Sequence, residues 1–182
     1  MIKTRQDYLK FLEADKTALR ITDAIRDKLF HEIWIYQKLL RKVEYYTNCK
    51  TSMLGKIIGF YWRWRFKAHS IKLGFSISPN SCDMGLELGH YGDIVINGKA
   101  KIGKNCTIAG AGVLIGENLI TKEAPIIGDN CYIGPGAKII GGVKIANNVT
   151  VGANAVVAKD VLESNITVGG IPAKKISDKS IK

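Results

Sequence analysis

The stretch IIGDNCYIGPGAKIIGGVKIANNVTVGANAVVAKD, residues 126–160, places an aliphatic side chain at every sixth position: Ile127, Ile133, Ile139, Ile145, Val151 and Val157. Two residues before most of these stands something small or β-branched (Cys131, Ala137, Val143, Val149, Ala155), and a Gly or Ala often follows (Gly128, Gly134, Ala146, Gly152, Ala158). One aliphatic per six residues suits neither an amphipathic helix nor a single half-buried strand, whose periods are about 3.6 and 2. It suits a parallel β-helix, in which each hexapeptide makes one flat side and three complete a turn.

Toward the N-terminus the pattern continues through Ile96, Ile102, Ile108 and Leu114, with Ala100, Cys106 and Gly112 in the small-residue slot. From Leu114 to Ile127 is thirteen residues, one more than two periods, and the intervening GENLITKEAP (116–125) lacks the pattern. A loop leaving the prism is expected there. Loops on rigid scaffolds often carry sites, so this one is either a wall of a binding site or a tolerated insertion.

A chain of 182 residues, 46% hydrophobic, is long enough for one cored domain with an appendage. No uncharged apolar run approaches the roughly 20 residues needed to span a bilayer, and the charged start has no signal-peptide core, so a cytoplasmic protein is expected. The four cysteines (Cys49, Cys82, Cys106, Cys131) lack C-x-x-C spacing, and Cys106 and Cys131 fall in the small slot of the repeat, which predicts reduced core fillers. The net charge of +11 is uneven: residues 1–74 hold 16 Lys and Arg against 7 Asp and Glu, and the remainder 11 against 9. That basic excess could attract phosphates or anionic lipid. No nucleic-acid-binding motif accompanies it, so no nucleic-acid partner is expected.

The division predicted is a basic helical region over 1–73 and a solenoid over 74–182, with the loop at about 116–125 and a C-terminal tail. Residues 4–20 and 23–47 read as helices: Tyr8, Leu9 and Leu12, then Ile25, Leu29, Ile33, Tyr36, Leu40 and Val43 recur at helical spacing, and Asp23 could cap the second. A third segment, KIIGFYWRWRFKAHSIKLG (56–74), combines bases with many aromatics, among them Tyr61, Trp62, Trp64 and Phe66. Two readings stand for 56–72. The aromatics cover the open strand edges at the mouth of the solenoid, or the segment makes peripheral contact with an anionic membrane.

The histidines are His31, His69 and His90. A metal site on such a solenoid would need three of them on neighbouring coils; this chain offers one, so no metal is expected. His90 lies at the entrance to the repeats. A six-residue count back from Ile96 would make it a core residue, whereas the flanking Gly89 and Gly92 suggest a turn that presents the ring.

Several segments carry a family likeness: ISP at 77–79, GHYGDIVIN at 89–97, API at 124–126, IGPGAKI at 133–139, VGANAVV at 151–157 and GGIPAKKI at 169–176. In these the chain resembles the hexapeptide-repeat acyltransferases, and the stretch from about 74 to 176 is similar to the catalytic half of serine O-acetyltransferases and related sugar O-acetyltransferases. The resemblance implies a left-handed parallel β-helix, a homotrimer with active sites between subunits, and acetyl-CoA as donor. It implies His90 as general base. An alcohol attacks a thioester poorly unless its proton leaves during attack, and an imidazole, with an ordinary pKa of about 6.5, can take that proton for a gain of roughly 10² to 10⁴ in rate.

The resemblance further implies that the pantetheine arm of the donor lies along neighbouring coils beside Gly134 and Pro135 and then Gly152 and Ala153, with Lys159, Lys174 and Lys175 near the CoA phosphates. Three positions depart from the serine acetyltransferase pattern: its orienting aspartate before I-x-P is Ser76, its aspartate before the histidine is Gly89, and its loop histidine before P-x-I is Ala124. The last two help hold serine in that family. Their absence favours another hydroxyl acceptor, a sugar of a surface or capsular polysaccharide, over serine itself. Asp83, Glu87 and Asp93 are the carboxylates near His90 in sequence that could replace the orienting group. A non-catalytic trimeric scaffold is the reading from another class.

Overall fold

The computed structural model describes residues 1–22, 24 and 31–181. Among the described residues three helices, α1 (Arg5–Ala18), α2 (Glu32–Cys49) and α3 (Met53–Leu73), precede a solenoid of fourteen short strands, β1 (Phe75–Ile77) to β14 (Lys174–Ser177). Helix starts are marked by side chains that accept orphan backbone N–H groups. The Thr4 hydroxyl accepts from Asp7 N while the Asp7 carboxylate accepts from Thr4 N, and Ser52 Oγ accepts from Gly55 N. Asp23, Ile25 and Leu29, expected on the second helix, lie outside the described residues; the helix described there begins at Glu32, capped by His31.

The strands form three flat faces. Face A is β1, β3 (Ile94–Ile96), β6 (Val113–Gly116), β9 (Lys138–Ile140) and β12 (Val156–Val157). Face B is β4 (Lys101–Ile102), β7 (Ile126–Ile127) and β10 (Lys144–Ile145). Face C is β2 (Glu87–Leu88), β5 (Thr107–Ile108), β8 (Tyr132–Ile133), β11 (Thr150–Val151) and β13 (Thr167–Gly169), closed by the antiparallel β14. Every other pairing is parallel and in register, for example Leu88 with Ile108 and Ile108 with Ile133. Isolated bridges at Cys82 and Val161 complete face B in the first and last of five coils. This is the left-handed parallel β-helix expected. Its core is a stack of side chains with almost no exposure: Ile96, Ile108, Ile115, Ile133, Ile139 and Val151.

One expected core position is corrected. Leu114 points outward, and Val113 and Ile115 fill the interior. The corner after Ile108 holds one residue more than a strict period allows, so Ile115 is seven residues on, and the distance from Ile115 to Ile127 is twelve. The loop at 116–125 is therefore an insertion of one whole period that makes no side of its own.

The mouth of the solenoid is covered by α1 and α2 together with the inward side of α3, whose Phe66 is buried in the core beside Tyr36 and Phe75 and whose Trp62 packs against the same core. Buried polar side chains satisfy the open backbone edge of the first coil. Arg41 donates to the Cys82 and Asp83 carbonyls, Asp15 accepts from Gly85 N and Leu86 N, Gln37 donates to Leu86 O, and Glu44 accepts from Asn80 N. Arg41 also bonds Asp15 at 2.7 Å and Glu44 at 2.9 Å, all fully buried or nearly so. Burial opposes the guanidinium charge, but Glu44 and Asp15 more than offset that and hold it protonated. Leaving one of these charges without its partner would cost about 3–5 kcal/mol. In α3, Phe66 stacks on Tyr36 beneath the helix, whereas Ile57, Tyr61 and Trp64 are exposed.

The cysteines form no disulfide. Cys82, Cys106 and Cys131 are buried core fillers, and burial pushes the Cys82 thiol up to about 12.

Candidate active site

His90 sits on the edge of the prism where face C turns into face A. Its ring is not in the core: Leu88 occupies the inward slot and His90 is exposed. The reason is the width of the corner. Along this edge the inward residues are separated by eight positions in the first coil (Leu88 to Ile96), seven in the second (Ile108 to Ile115) and six in the next two (Ile133 to Ile139, Val151 to Val157). The two extra residues bulge outward as His90 and Tyr91 and carry the imidazole clear of the stack.

The corner is pinned tightly on both sides. Gly92 N donates to Leu73 O at the end of α3, and Gly112 N donates to Asp93 O. Gly89 has no room for a side chain, because a Cβ there would stand 2.6 Å from Ala109 O. The carboxylate that the resemblance places at this position is thus sterically excluded as well as missing.

No side chain among the described residues hydrogen-bonds the His90 ring. The three carboxylates near it in sequence are engaged or placed elsewhere. Glu87 Oε2 accepts from Thr107 Oγ1 at 2.6 Å, Asp83 Oδ1 accepts from Met84 N, and Asp93 is exposed. Beside His90 lies a cleft of about 300 Å³ lined by Leu19, Arg20, His31, Glu87 and Tyr91 among others. His31 Nδ1 accepts from Trp34 N at 3.2 Å, so in the neutral ring the proton is on Nε2 and is available to donate. Leu19 and Arg20 are not singled out by the sequence, and His31 stands out there only as a histidine, because they reach the cleft from helix ends some sixty to seventy residues upstream and no local pattern marks them.

Four of the residues expected to meet the donor share His90's edge. Gly134 and Pro135 turn the corner in the third coil, and Gly152 and Ala153 in the fourth, with Pro135 and Ala153 exposed. A Cβ on Gly134 would meet Ala153 N at 2.7 Å and Val151 O at 2.8 Å, so the coils are in close contact and leave a smooth surface outside. Gly110, not singled out from the sequence, links the two ends: a Cβ there would lie 3.7 Å from His90 Cβ and Cδ2 and 3.8 Å from Pro135 Cβ. From the coil of His90 to that of Ala153 is three strand spacings, about 14 Å.

The lysines are less united. Lys174 lies beside Gly169 in the β13–β14 pair, at the far end of the same edge. Lys175 is bound by Glu163 and Asp178, each at 2.5 Å, and Asp178 and then Glu163 raise its pKa. Lys159 follows β12 on the edge between faces A and B and is exposed. The inserted loop also leaves from that second edge, so in one chain it lies across face A from His90. It is held by its own Asx turn, in which Asn118 Oδ1 accepts from Ile120 N and Thr121 N, and by Lys99 bonding Glu117. No group of three or more His, Cys, Asp or Glu placed to hold a metal occurs among the described residues.

Residues 124–159 match the bacterial transferase hexapeptide (six repeats) family. Over its whole length the chain is 30% identical to the serine acetyltransferase of Staphylococcus aureus strain Mu50, across 82% of that protein. The chain belongs to the serine acetyltransferase family. The match to the serine acetyltransferase of Mycobacterium tuberculosis is stronger but shorter: 38% identity over 90 residues, 49% of this chain and only 39% of that relative's length. Among solved structures, the serine acetyltransferase of Brucella abortus strain S19 in complex with coenzyme A superposes with a TM-score of 0.76 at 24% identity, covering 98% of this chain and 71% of that one. The described helices as well as the solenoid therefore share the fold of a serine acetyltransferase.

Proposed function

We propose that the chain is an acetyl-CoA-dependent O-acetyltransferase with His90 as general base. The observation that carries this reading is the exposed imidazole, free of side-chain hydrogen bonds among the described residues, at the widened end of an edge that continues through Gly110, Pro135 and Ala153. The Brucella abortus relative was solved with coenzyme A, which supports a donor of that class here.

In the reaction, a ring nitrogen of His90 takes the acceptor's hydroxyl proton as the oxygen attacks the acetyl carbonyl. The new C–O bond leaves a tetrahedral oxyanion. The backbone N–H groups of Gly110 and Ala111, which donate to no group among the described residues, are donors within the same edge that would favour that charge. Collapse breaks the C–S bond, and the imidazolium returns its proton to the departing CoA thiolate. Because the thioester is already activated, neither a covalent enzyme intermediate nor a further reactant is needed to balance the step.

The family's names favour L-serine as acceptor. A second reading, a sugar hydroxyl, is favoured by Gly89 and Ala124: the first cannot accept a side chain without displacing Ala109, and the second offers only a methyl group. The cleft beside His90 has polar groups from Arg20, His31 and Glu87 that suit either a zwitterion or a polyol. A homotrimer is part of the proposal. The outer side of face A carries Val95, Leu114 and Ile140, which with Leu119 of the inserted loop line a groove of about 560 Å³, an apolar surface suited to a second copy. Threefold packing would bring the loop of one chain toward the His90 of the next. Lys174 stays as a donor-phosphate contact, while Lys175 would first have to leave two carboxylates.

The test is CoA release from acetyl-CoA with L-serine and with mono- and oligosaccharides as acceptors. Stimulation by L-serine supports the family's acceptor, stimulation by a sugar alone supports the second reading, and turnover that survives His90→Ala refutes the mechanism.

A further inference from the structure

Helix α3 is apolar on two opposite sides. One side packs inward through Phe66, Ser70 and Leu73. On the other, Met53 (83% exposed), Ile57 (62%), Phe60 (75%), Trp64 (63%) and Ile71 (72%) recur at intervals of four, three, four and seven residues and so form one continuous outward stripe. Such a run of large exposed side chains is costly in water and marks an interaction surface. At 100° per residue, Lys56, Arg63 and Lys67 line one flank of the stripe and Arg65 and Lys72 the other. The helix contains no Asp or Glu. Among the described residues one carboxylate pairs with it, that of Glu32, which bonds Lys72 at 2.6 Å.

The geometry points to α3 as an in-plane docking helix for an anionic lipid bilayer. Aromatic side chains with basic flanks are the composition that enters the boundary between headgroups and acyl chains, with the Lys and Arg stems lying along the apolar surface and their charges among the phosphates. Both flanks are basic, so a second copy of this face in any orientation would set bases against bases, and a self-association is disfavoured. The helix does not cross the bilayer, because no helix among the described residues is long and apolar enough to do so.

Docking would also place chemistry at the surface. The stripe ends at Ile71, and the next residues hold the candidate site's corner: Gly92 N donates to Leu73 O at 3.0 Å and Ile94 N to Gly74 O at 3.2 Å. His90 is two residues from Gly92, so an acceptor carried on the membrane would meet the edge where the donor is proposed to lie. That consequence rests on the reading of His90; the lipid binding itself does not.

The experiment is flotation of the full chain with vesicles of phosphatidylcholine alone and of phosphatidylcholine mixed with phosphatidylglycerol. Binding to the anionic vesicles is expected, weakening with salt. The double variant Phe60→Ser, Trp64→Ser should lose about tenfold or more in partitioning. The triple variant Lys56→Glu, Arg63→Glu, Lys67→Glu should lose about a hundredfold or more. All five side chains face outward, so circular dichroism and sedimentation of the variants should match the parent. Absence of binding to the anionic vesicles, binding that the Phe60 and Trp64 replacements leave intact, or a change of oligomeric mass in the double variant would each overturn the proposal. None of these outcomes depends on turnover.

Discussion

Two edges of the same prism are built to different rules. Where face B turns into face C, the inward residues are six apart in each of the first four coils, and from the second coil to the fifth the corners are made by Asn105, Asn130, Asn148 and Asn165, all at φ between 54° and 63°. Their side chains form a ladder, each amide donating to the next at 3.0–3.2 Å. Asparagine tolerates the left-handed conformation better than other residues with a Cβ, and here it adds a hydrogen bond per coil. Where face C turns into face A, the spacing loosens from six to eight toward the first coil and no such ladder runs. The regular edge holds the coils together, and the irregular one presents His90.

That division predicts opposite outcomes for substitutions on the two edges. The largest effect belongs to His90. His90→Ala should lower turnover by about 10² to 10⁴, the worth of a positioned general base, while the melting temperature stays within about a degree because His90 is exposed and lies outside the core stack. Steady-state rates and a thermal melt on the same sample check both halves. Equal losses of rate and stability would mean that the irregular edge is structural after all.

The period of six was legible because burial in this fold selects the aliphatic slot, and the small slot two residues before it, in every period over residues 126–160, and the same regularity located the inserted loop. The reading failed at Leu114 because counting assumed constant corners. A corner can absorb an extra residue at little cost when the strand after it has two inward positions, here Val113 and Ile115, to re-enter the stack. The ladder was present in the sequence as an asparagine directly before each of Cys106, Cys131, Val149 and Ile166, a signal that attention to the aliphatic slot alone passed over. The polar cap was not legible. Asp15, Arg41 and the carbonyls of Cys82 and Asp83 find each other across 26 to 42 residues, and nothing local distinguishes them from the other charges of a basic helical segment. The shared edge of His90, Pro135 and Ala153 was implied by resemblance, and the coil register supplies its geometry.

On the regular edge the expected signature is reversed. Asn130→Ala removes the rung to Asn105 and the rung to Asn148 and leaves a Cβ residue at φ 54° without the amide that made it tolerable. A loss of about 2 kcal/mol follows, or about 4–8 °C in melting temperature for a chain of this length, with turnover per folded molecule unchanged. Asn130→Gly separates the two contributions. Glycine adopts the conformation freely, so the stability that remains lost is the ladder's share.

The smallest effect is the most diagnostic of where the donor lies. A methyl group added by Gly110→Ala would sit 3.7 Å from His90 Cβ and Cδ2 and 3.8 Å from Pro135 Cβ, ordinary contact distances, so the fold should accept it. It would nonetheless fill the space between the imidazole and the next coil's corner, along the path proposed for the pantetheine arm. An increase of about three- to tenfold in KM for acetyl-CoA is expected, with kcat less affected, equivalent to about 1 kcal/mol of lost contact. The matching change on the other edge, Gly103→Ala, puts its methyl 2.3 Å from Asp129 Oδ1 and 2.6 Å from Gly128 C, so it should destabilise the coil and leave KM alone. If Gly110→Ala leaves the KM for acetyl-CoA where it was, the donor does not run along His90's edge, and the smooth surface beside Pro135 and Ala153 reflects coil packing alone.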